Sequence, residues 1–160
     1  MLKMNCSRGL VMALLLLLVT IYSGCAVHYT VAVNKFAYQD DIAIELQKVQ
    51  SSDGQSTWGN MALVPPRKHT FVRLTLQLSN TGVSSQVVDL TKIVLFNAEN
   101  KTKYPVVKIY QVAPVPIGAR DDLKLNAGEQ VKRVLMFTYP QKLRPELLEI
   151  NGKIVQITYQ

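Results

Sequence analysis

Beyond its first two dozen residues the chain predicts an all-β fold, an antiparallel sandwich of about seven strands. Three observations carry this. Apolar residues recur with a period of two in several segments, turn-forming residues interrupt the chain at short intervals, and no later segment sustains the 3.6-residue apolar period of a long helix. A length of 160 residues suits one such domain.

The elements follow in order. Val27, Tyr29, Val31 and Val33 alternate with His28, Thr30, Ala32 and Asn34, which predicts a half-buried first strand. Ile42, Ile44 and Leu46, with Lys48 continuing the same side, predict a second strand closing in the polar run Ser51 to Ser56. A short helix competes there, because Ala43 to Gln50 is rich in helix formers. Gly59 and the Pro65-Pro66 pair make Thr57 to His69 a long loop, with the only tryptophan, Trp58, packed beneath it.

Thr70 to Ser79 is the clearest strand, with Val72, Leu74, Leu76 and Leu78 facing a core and Arg73, Thr75 and Gln77 facing water. Asn80-Thr81-Gly82 predicts a turn in which glycine supplies a positive φ. Val87 to Asn97 and Lys103 to Tyr110 read as two strands joined by a hairpin loop. Pro105 has no N–H, which puts the second strand at an edge or delays its start. Gln111 to Gly128 holds Pro114, Pro116 and Gly118 and predicts a long irregular connection across one end of the domain. Gln130 to Tyr139 places Val131, Leu135, Phe137 and Tyr139 on one face, and Pro140 ends it. Leu143 to Ile150 predicts one helical turn or a loop, and Ile154 to Tyr159 a last strand.

The leader has a different composition. Residues 1–8 carry Lys3 and Arg8 and no acid, and Gly9 to Ile21 runs thirteen residues without a charge. A spanning helix needs about 20 apolar residues, so this layout predicts an export signal, with an uncleaved signal anchor as the competing reading. Tyr22, Ser23, Gly24 and Cys25 resemble the lipobox of bacterial lipoproteins, in which a small residue precedes a cysteine that receives a diacylglycerol thioether before cleavage. Ser23 and Gly24 fit that pattern; Tyr22 stands where the family usually has Leu. The resemblance implies a cleaved leader over residues 1–24 and a domain of residues 25–160 held to a membrane by two or three acyl chains on Cys25, more than the single chain that binds only reversibly. Ala26 following the cysteine implies, by the family's sorting rule, the outer membrane, with the domain facing the periplasm or the cell surface.

Only Cys25 of the two cysteines survives such cleavage, so no disulfide forms within the mature domain and its stability rests on an apolar core. The 18 basic residues less Lys3 and Arg8, set against 11 acidic ones, leave a net charge of +5, which in sequence is scattered. Arg67-Lys68 and Lys132-Arg133 accompany no Gly-rich or aromatic motif, which argues against a nucleic-acid partner. They predict a solvated basic surface near anionic lipid headgroups.

The runs PPRKHTFVRLTLQLSNTG, DLTKIVLFNAENKTKYP and LNAGEQVKRVLMFTYP together resemble the immunoglobulin-like domains of unknown function found in many bacterial lipoproteins, of telokin-like or immunoprotective extracellular type. Asn80 with Gly82, then Leu125, Gly128, Glu129, Phe137 and Pro140, match the family's turn and strand-end positions. Ala127 stands where the family usually has Pro. The resemblance implies an immunoglobulin-like sandwich and transfers no active site.

Catalytic equipment is not apparent. His28 and His69 have no metal-ligand spacing, and the serines lack a nucleophile elbow. The pairs Asp40-Asp41 and Asp121-Asp122 lack the oxygen-rich array that calcium requires. The sequence thus predicts a non-enzymatic binding or structural module without a cofactor, meeting an envelope or extracellular protein through aromatic residues near loops, Trp58, Tyr104 and Tyr110, or through an exposed strand edge. Two rivals stand beside it. One is an inhibitor or accessory subunit of an envelope enzyme that uses Gln111 to Gly128; the other is a metal- or small-ligand-binding protein that uses the acidic pairs.

Overall fold

A computed structural model describes residues 26–56, 62–112 and 117–160. Among them are fifteen strands and one turn of 3-10 helix. The first five strands are β1 (Val27–Tyr29), β2 (Asn34–Gln39), β3 (Ile42–Ser52), β4 (Gln55–Ser56) and β5 (Ala62–Leu63). Next come β6 (His69–Asn80), β7 (Gln86–Asp89), the 3-10 turn Leu90–Lys92, β8 (Ile93–Asn97), β9 (Thr102–Tyr104) and β10 (Val106–Gln111). The chain closes with β11 (Ile117–Gly118), β12 (Asp122–Leu125), β13 (Gln130–Pro140), β14 (Leu147–Ile150) and β15 (Lys153–Gln156).

Every pairing is antiparallel, and the strands form the two layers of a sandwich. The larger sheet runs β1-β3-β6-β13-β10-β11, and β2 shares with β1 one flank of β3. Facing it are the sheet β15-β14-β8-β9 and the pair β12-β7, continuous through the 3-10 turn. The predicted all-β sandwich is the observed architecture; the seven expected strands are divided more finely, as where the 3-10 turn Leu90–Lys92 splits Val87 to Asn97 into β7 and β8.

One apolar core lies between the layers. The alternation of β6 buries Val72, Leu74, Leu76 and Leu78, and β13 sets Leu135 and Phe137 beside them, as the spacing predicts. Val88, Leu90, Ile93, Leu95, Leu123, Leu125, Leu148 and Ile150 complete the core from the opposite layer. Tyr38 crosses between layers and donates its hydroxyl proton to Asp89 O at 3.0 Å.

Five expectations are corrected. Val27 to Asn34 is not one strand, since Val27 is 52% and Val33 82% exposed while Tyr29 and Val31 pack on the core. In β3 the register slips between Leu46 and Lys48, so Val49 and not Lys48 takes the inward position. Lys103 to Tyr110 is not one strand but is split at Pro105 into β9 of one layer and β10 of the other, with β10 starting only at Val106 as the missing N–H of Pro105 implies. The connection from Gln111 onward holds β11 and β12, and the second of these carries Leu123 and Leu125 into the core. Leu147–Ile150 is a strand paired with β8 and β15 and not a helical turn. Asn151 (φ +47°) and Gly152 (φ +83°) close its hairpin in the left-handed geometry a two-residue turn demands.

The turn after β6 also works differently from expectation. Gly82 has no positive φ; a Cβ there would meet Asp41 Cγ and Oδ2 at 2.7 Å, so close approach is what requires glycine. Asn80 is 2% exposed and ties the turn together. Its Oδ1 accepts from Gly82 N at 3.0 Å, and its Nδ2 donates to Ser84 O (2.7 Å), Leu125 O (3.2 Å) and Asn126 O (3.1 Å).

Candidate functional site

Cys25, Tyr22, Ser23, Gly24 and Trp58 lie outside the described residues. The domain begins at once after them. β1 pairs with β3 at Val27↔Ser51, so the chain enters the larger sheet two residues after Cys25 without a linker. This entry is fastened by the other end of the chain. Val31 bridges Tyr159, Ala32 N donates to Thr158 O at 3.0 Å, and Gln160 N donates to Thr30 O at 3.1 Å. Asn34, 3% exposed, completes the clamp by accepting from Thr158 N at 2.7 Å and donating to Thr158 O at 2.8 Å and Ala32 O at 3.0 Å. An amide side chain thereby imitates a strand backbone and satisfies a segment that would otherwise hold unpaired groups.

The outward face of the larger sheet is the second notable surface. Residues directly opposite across a ladder share a face. The register Lys35↔Glu45↔Gln77↔Lys132 forms one row, Lys48↔Thr75↔Val134↔Tyr110 the next, and His28↔Gln50↔Arg73↔Met136↔Lys108 a third. The outward strand positions thus hold five cations, Lys35, Lys48, Arg73, Lys108 and Lys132, against one carboxylate, Glu45, for a net +4 of the +5 carried beyond residue 25. The charge that looks scattered in sequence is concentrated by the alternation of five strands. Glu45 lies 3.9 Å from Lys35, while the other four cations form no ion pair among the described residues. The Nε of Arg73 is buried and has no hydrogen-bond partner among the described residues.

Polar side chains bridge the strands of this face, with Gln47 Nε2 donating to Gln77 Oε1 and Gln77 Nε2 to Gln130 Oε1, each at 2.9 Å. At one end Phe71, Tyr110 and Met136 form a small apolar cluster with Leu63 of β5 against it. Tyr110 is 9% exposed within that cluster. Tyr104 lies on the opposite side of the molecule, half-buried, its ring edge-on to Tyr139 at 4.9 Å. The structure therefore does not bring Tyr104 and Tyr110 together.

Tyr139 lines a shallow depression of ≈ 170 Å³ with Asn97, Glu99, Arg144 and Glu146. Burial, then the neighbouring Tyr104, pushes its hydroxyl up to about 12, against the opposing hydrogen bond with Asn97. Burial raises Tyr159 as well, opposed by Arg144, whose guanidinium stacks 4.4 Å from its ring. Both phenols are neutral under ordinary conditions, and Tyr159 donates its proton to Pro145 O.

The acidic pairs are kept apart. Asp41 packs at Gly82 and receives Thr81 N at its carbonyl at 2.8 Å. Asp121 and Asp122 share an open depression with Arg120 and Lys124, cations that oppose a metal ion. Among the described residues no three His, Cys, Asp or Glu side chains are grouped to hold a metal, and no helix is long and apolar enough to cross a membrane.

No protein-family model matches the chain, and no curated protein does. Among solved structures it is similar to a conserved hypothetical protein from Bacillus anthracis, with TM-score 0.59 and 11% identity over 84% of this chain and 97% of that one. An uncharacterised β-sandwich protein from Clostridium difficile matches at TM-score 0.48 and 12% identity over 75% and 83% of the two chains. The first likeness speaks to the fold alone.

Proposed function

We propose that the chain is a non-enzymatic envelope lipoprotein, a binding or structural module tethered to a membrane by lipid on Cys25 and facing the periplasm or the cell exterior. The observation that carries this reading is the junction. An uncharged apolar run ends in Ser23-Gly24-Cys25, and two residues later a strand begins that is locked into the sheet by the C-terminal segment. A tether attached there transmits its load to β3 of the larger sheet, and it leaves the domain no stalk on which to stand away from the bilayer. The immunoglobulin-like assignment rests on Asn80, Gly82, Leu125, Gly128 and Glu129, which form the two turns clipped together by Asn80.

The test is fractionation. The protein is expected to stay with membranes through alkaline carbonate and high salt as a chain shortened by its leader, and the Cys25→Ser variant, whose serine takes no thioether, is expected to keep the leader uncleaved. Release of the protein by carbonate, or equal shortening of both chains, would overturn the reading.

A second reading, an accessory subunit or inhibitor of an envelope enzyme, has one observation in its favour. Val107, Val112 and Ile117 are 47%, 53% and 53% exposed around the β10-β11 edge. Deleting the whole connection would remove Leu123 and Leu125 from the core, so the informative variant is Val112→Ser with Ile117→Ser. Loss of a co-purifying partner from a folded double variant would support it.

A further inference from the structure

The basic outward face of the larger sheet has a use beyond solubility. Its cations do not converge on a cavity. Lys35, Lys48, Arg73, Lys132 and Lys108 stand on β2, β3, β6, β13 and β10, five adjacent strands, and so spread over about 19 Å at the usual strand spacing. Lys35, Lys48, Lys108 and Lys132 are exposed. Isolated point charges spread over five strands suit an array of anionic groups better than one discrete ligand, which calls for convergent and bidentate donors.

The opposite side of the sandwich makes a contrast. There Lys103 meets Glu149 at 2.7 Å and Arg144 meets Glu146 at 3.4 Å. Away from the outward positions of the larger sheet, eleven cations face ten carboxylates beyond residue 25, close to neutrality. The net charge is thus carried by the outward positions of the larger sheet, and the remaining charges nearly cancel. β1, the first described strand, lies at the rim of that face. Val27 flanks β3 beside His28, which belongs to that face, and Cys25 is within about 7 Å of Val27 along the chain.

We propose that this face lies against the anionic lipid headgroups of the membrane to which the domain is tethered, fixing its orientation so that the β15-β14-β8-β9 sheet points away from the bilayer. The inference rests on the anchored reading for its geometry, while the charge attraction operates with or without the acyl chains. Each basic residue held near an anionic leaflet strengthens association about fivefold, and the effect falls off within a Debye length. Acyl chains keep the domain at the surface, and the lysines choose which side faces it.

The experiment uses the full chain as processed by cells, purified from membranes and reconstituted into vesicles of phosphatidylcholine alone or with roughly one phosphatidylglycerol in three. Surface lysines are acetylated with a water-soluble reagent and read by peptide mass spectrometry. Lys48, Lys108 and Lys132 are expected to react at least about fivefold more slowly on the anionic vesicles, with Lys101, Lys142 and Lys153 unchanged and the protection lost at about 0.5 M salt. Uniform labelling on both vesicle types overturns the proposal. Protection that appears only after envelope proteins are added also overturns it, in favour of an acidic protein partner. Retention on phosphatidylcholine vesicles at high salt reports the anchor separately. A protein that washes off those vesicles yet shows the protected lysines on anionic ones refutes the tether and keeps the face.

Discussion

Replacing Asn80 examines how the fold is held at the end remote from the N-terminal clamp. Its side chain makes four hydrogen bonds, to Gly82 N, Ser84 O, Leu125 O and Asn126 O, at 2.7–3.2 Å and at 2% exposure. A net hydrogen bond contributes about 1 kcal/mol, which sets an upper figure of about 4 kcal/mol for Asn80→Ala. Ser84 O and Asn126 O lie toward the rim, where water can replace the amide, so the expected loss is about 2–3 kcal/mol. With a urea m-value of roughly 1.5 kcal/mol/M the midpoint falls by about 1.3–2 M in equilibrium unfolding.

Asn80→Asp sharpens the test, because it keeps the shape and the acceptor for Gly82 N but turns the three donated bonds into contacts between carboxylate and carbonyl oxygens. The introduced carboxyl has a folded pKa above its unfolded value. Its share of stability is complete below about pH 4 and is lost as pH rises through the folded pKa. Asn80→Asp is therefore less stable than Asn80→Ala at pH 7 and recovers on acidification. A loss under 0.5 kcal/mol in Asn80→Ala, or equal stability of the two variants at pH 7, refutes this account of the turn.

Other outcomes are equally open to measurement. Glu129 N donates to Asn126 O at 3.1 Å and Gly128 has φ +72°, a turn that welcomes proline at Ala127, so Ala127→Pro raises stability by about 0.4–1 kcal/mol in urea unfolding and Gly128→Ala lowers it by about 1 kcal/mol. Gly82→Ala forces Asp41 to move and is expected to cost about 1–2 kcal/mol, with the amide signals of Thr81 and Asp41 shifting in nuclear magnetic resonance spectra. Burial raises Tyr38, Tyr139 and Tyr159, with Tyr139 near 12. The unfolded chain therefore ionises these phenols first, stability is complete below about pH 10, and it declines by up to about 1.4 kcal/mol per pH unit per tyrosine toward pH 12. Thermal melts of Tyr139→Phe should decline less steeply across that window, and an unchanged slope contradicts the assignment.

What could be read in advance and what could not divides along physical lines. Val72 to Leu78 was legible because strict alternation with one buried face leaves only one register, and Leu135 and Phe137 on its partner strand keep the same face. Lys48 misled because a bulge moves the inward position by one residue, and nothing in the local pattern of Gln47 and Lys48 marks it. Leu147–Ile150 is a strand despite Pro145 just before it, and Asn151-Gly152, the strongest short hairpin signal in the chain, marks its turn. The strand at Asp122–Leu125 is short and takes its place from β7, a partner that lies more than thirty residues away in sequence. The basic face shares that non-local origin. Lys35, Lys48, Arg73, Lys108 and Lys132 are never adjacent in sequence, and only the pairing of five strands gathers them. Asn34 and Asn80 looked like ordinary turn residues, and their partners Thr158 and Leu125 belong to distant strands.

The tether remains the claim on which the other functional statements depend, and the mass of the intact protein extracted from membranes reads it in one step. The account predicts a chain that starts at Cys25, heavier than the polypeptide of residues 25–160 by a diacylglyceryl group and, in some hosts, one further acyl chain. A mass equal to an unmodified polypeptide, or a chain whose first residue is not Cys25, contradicts it.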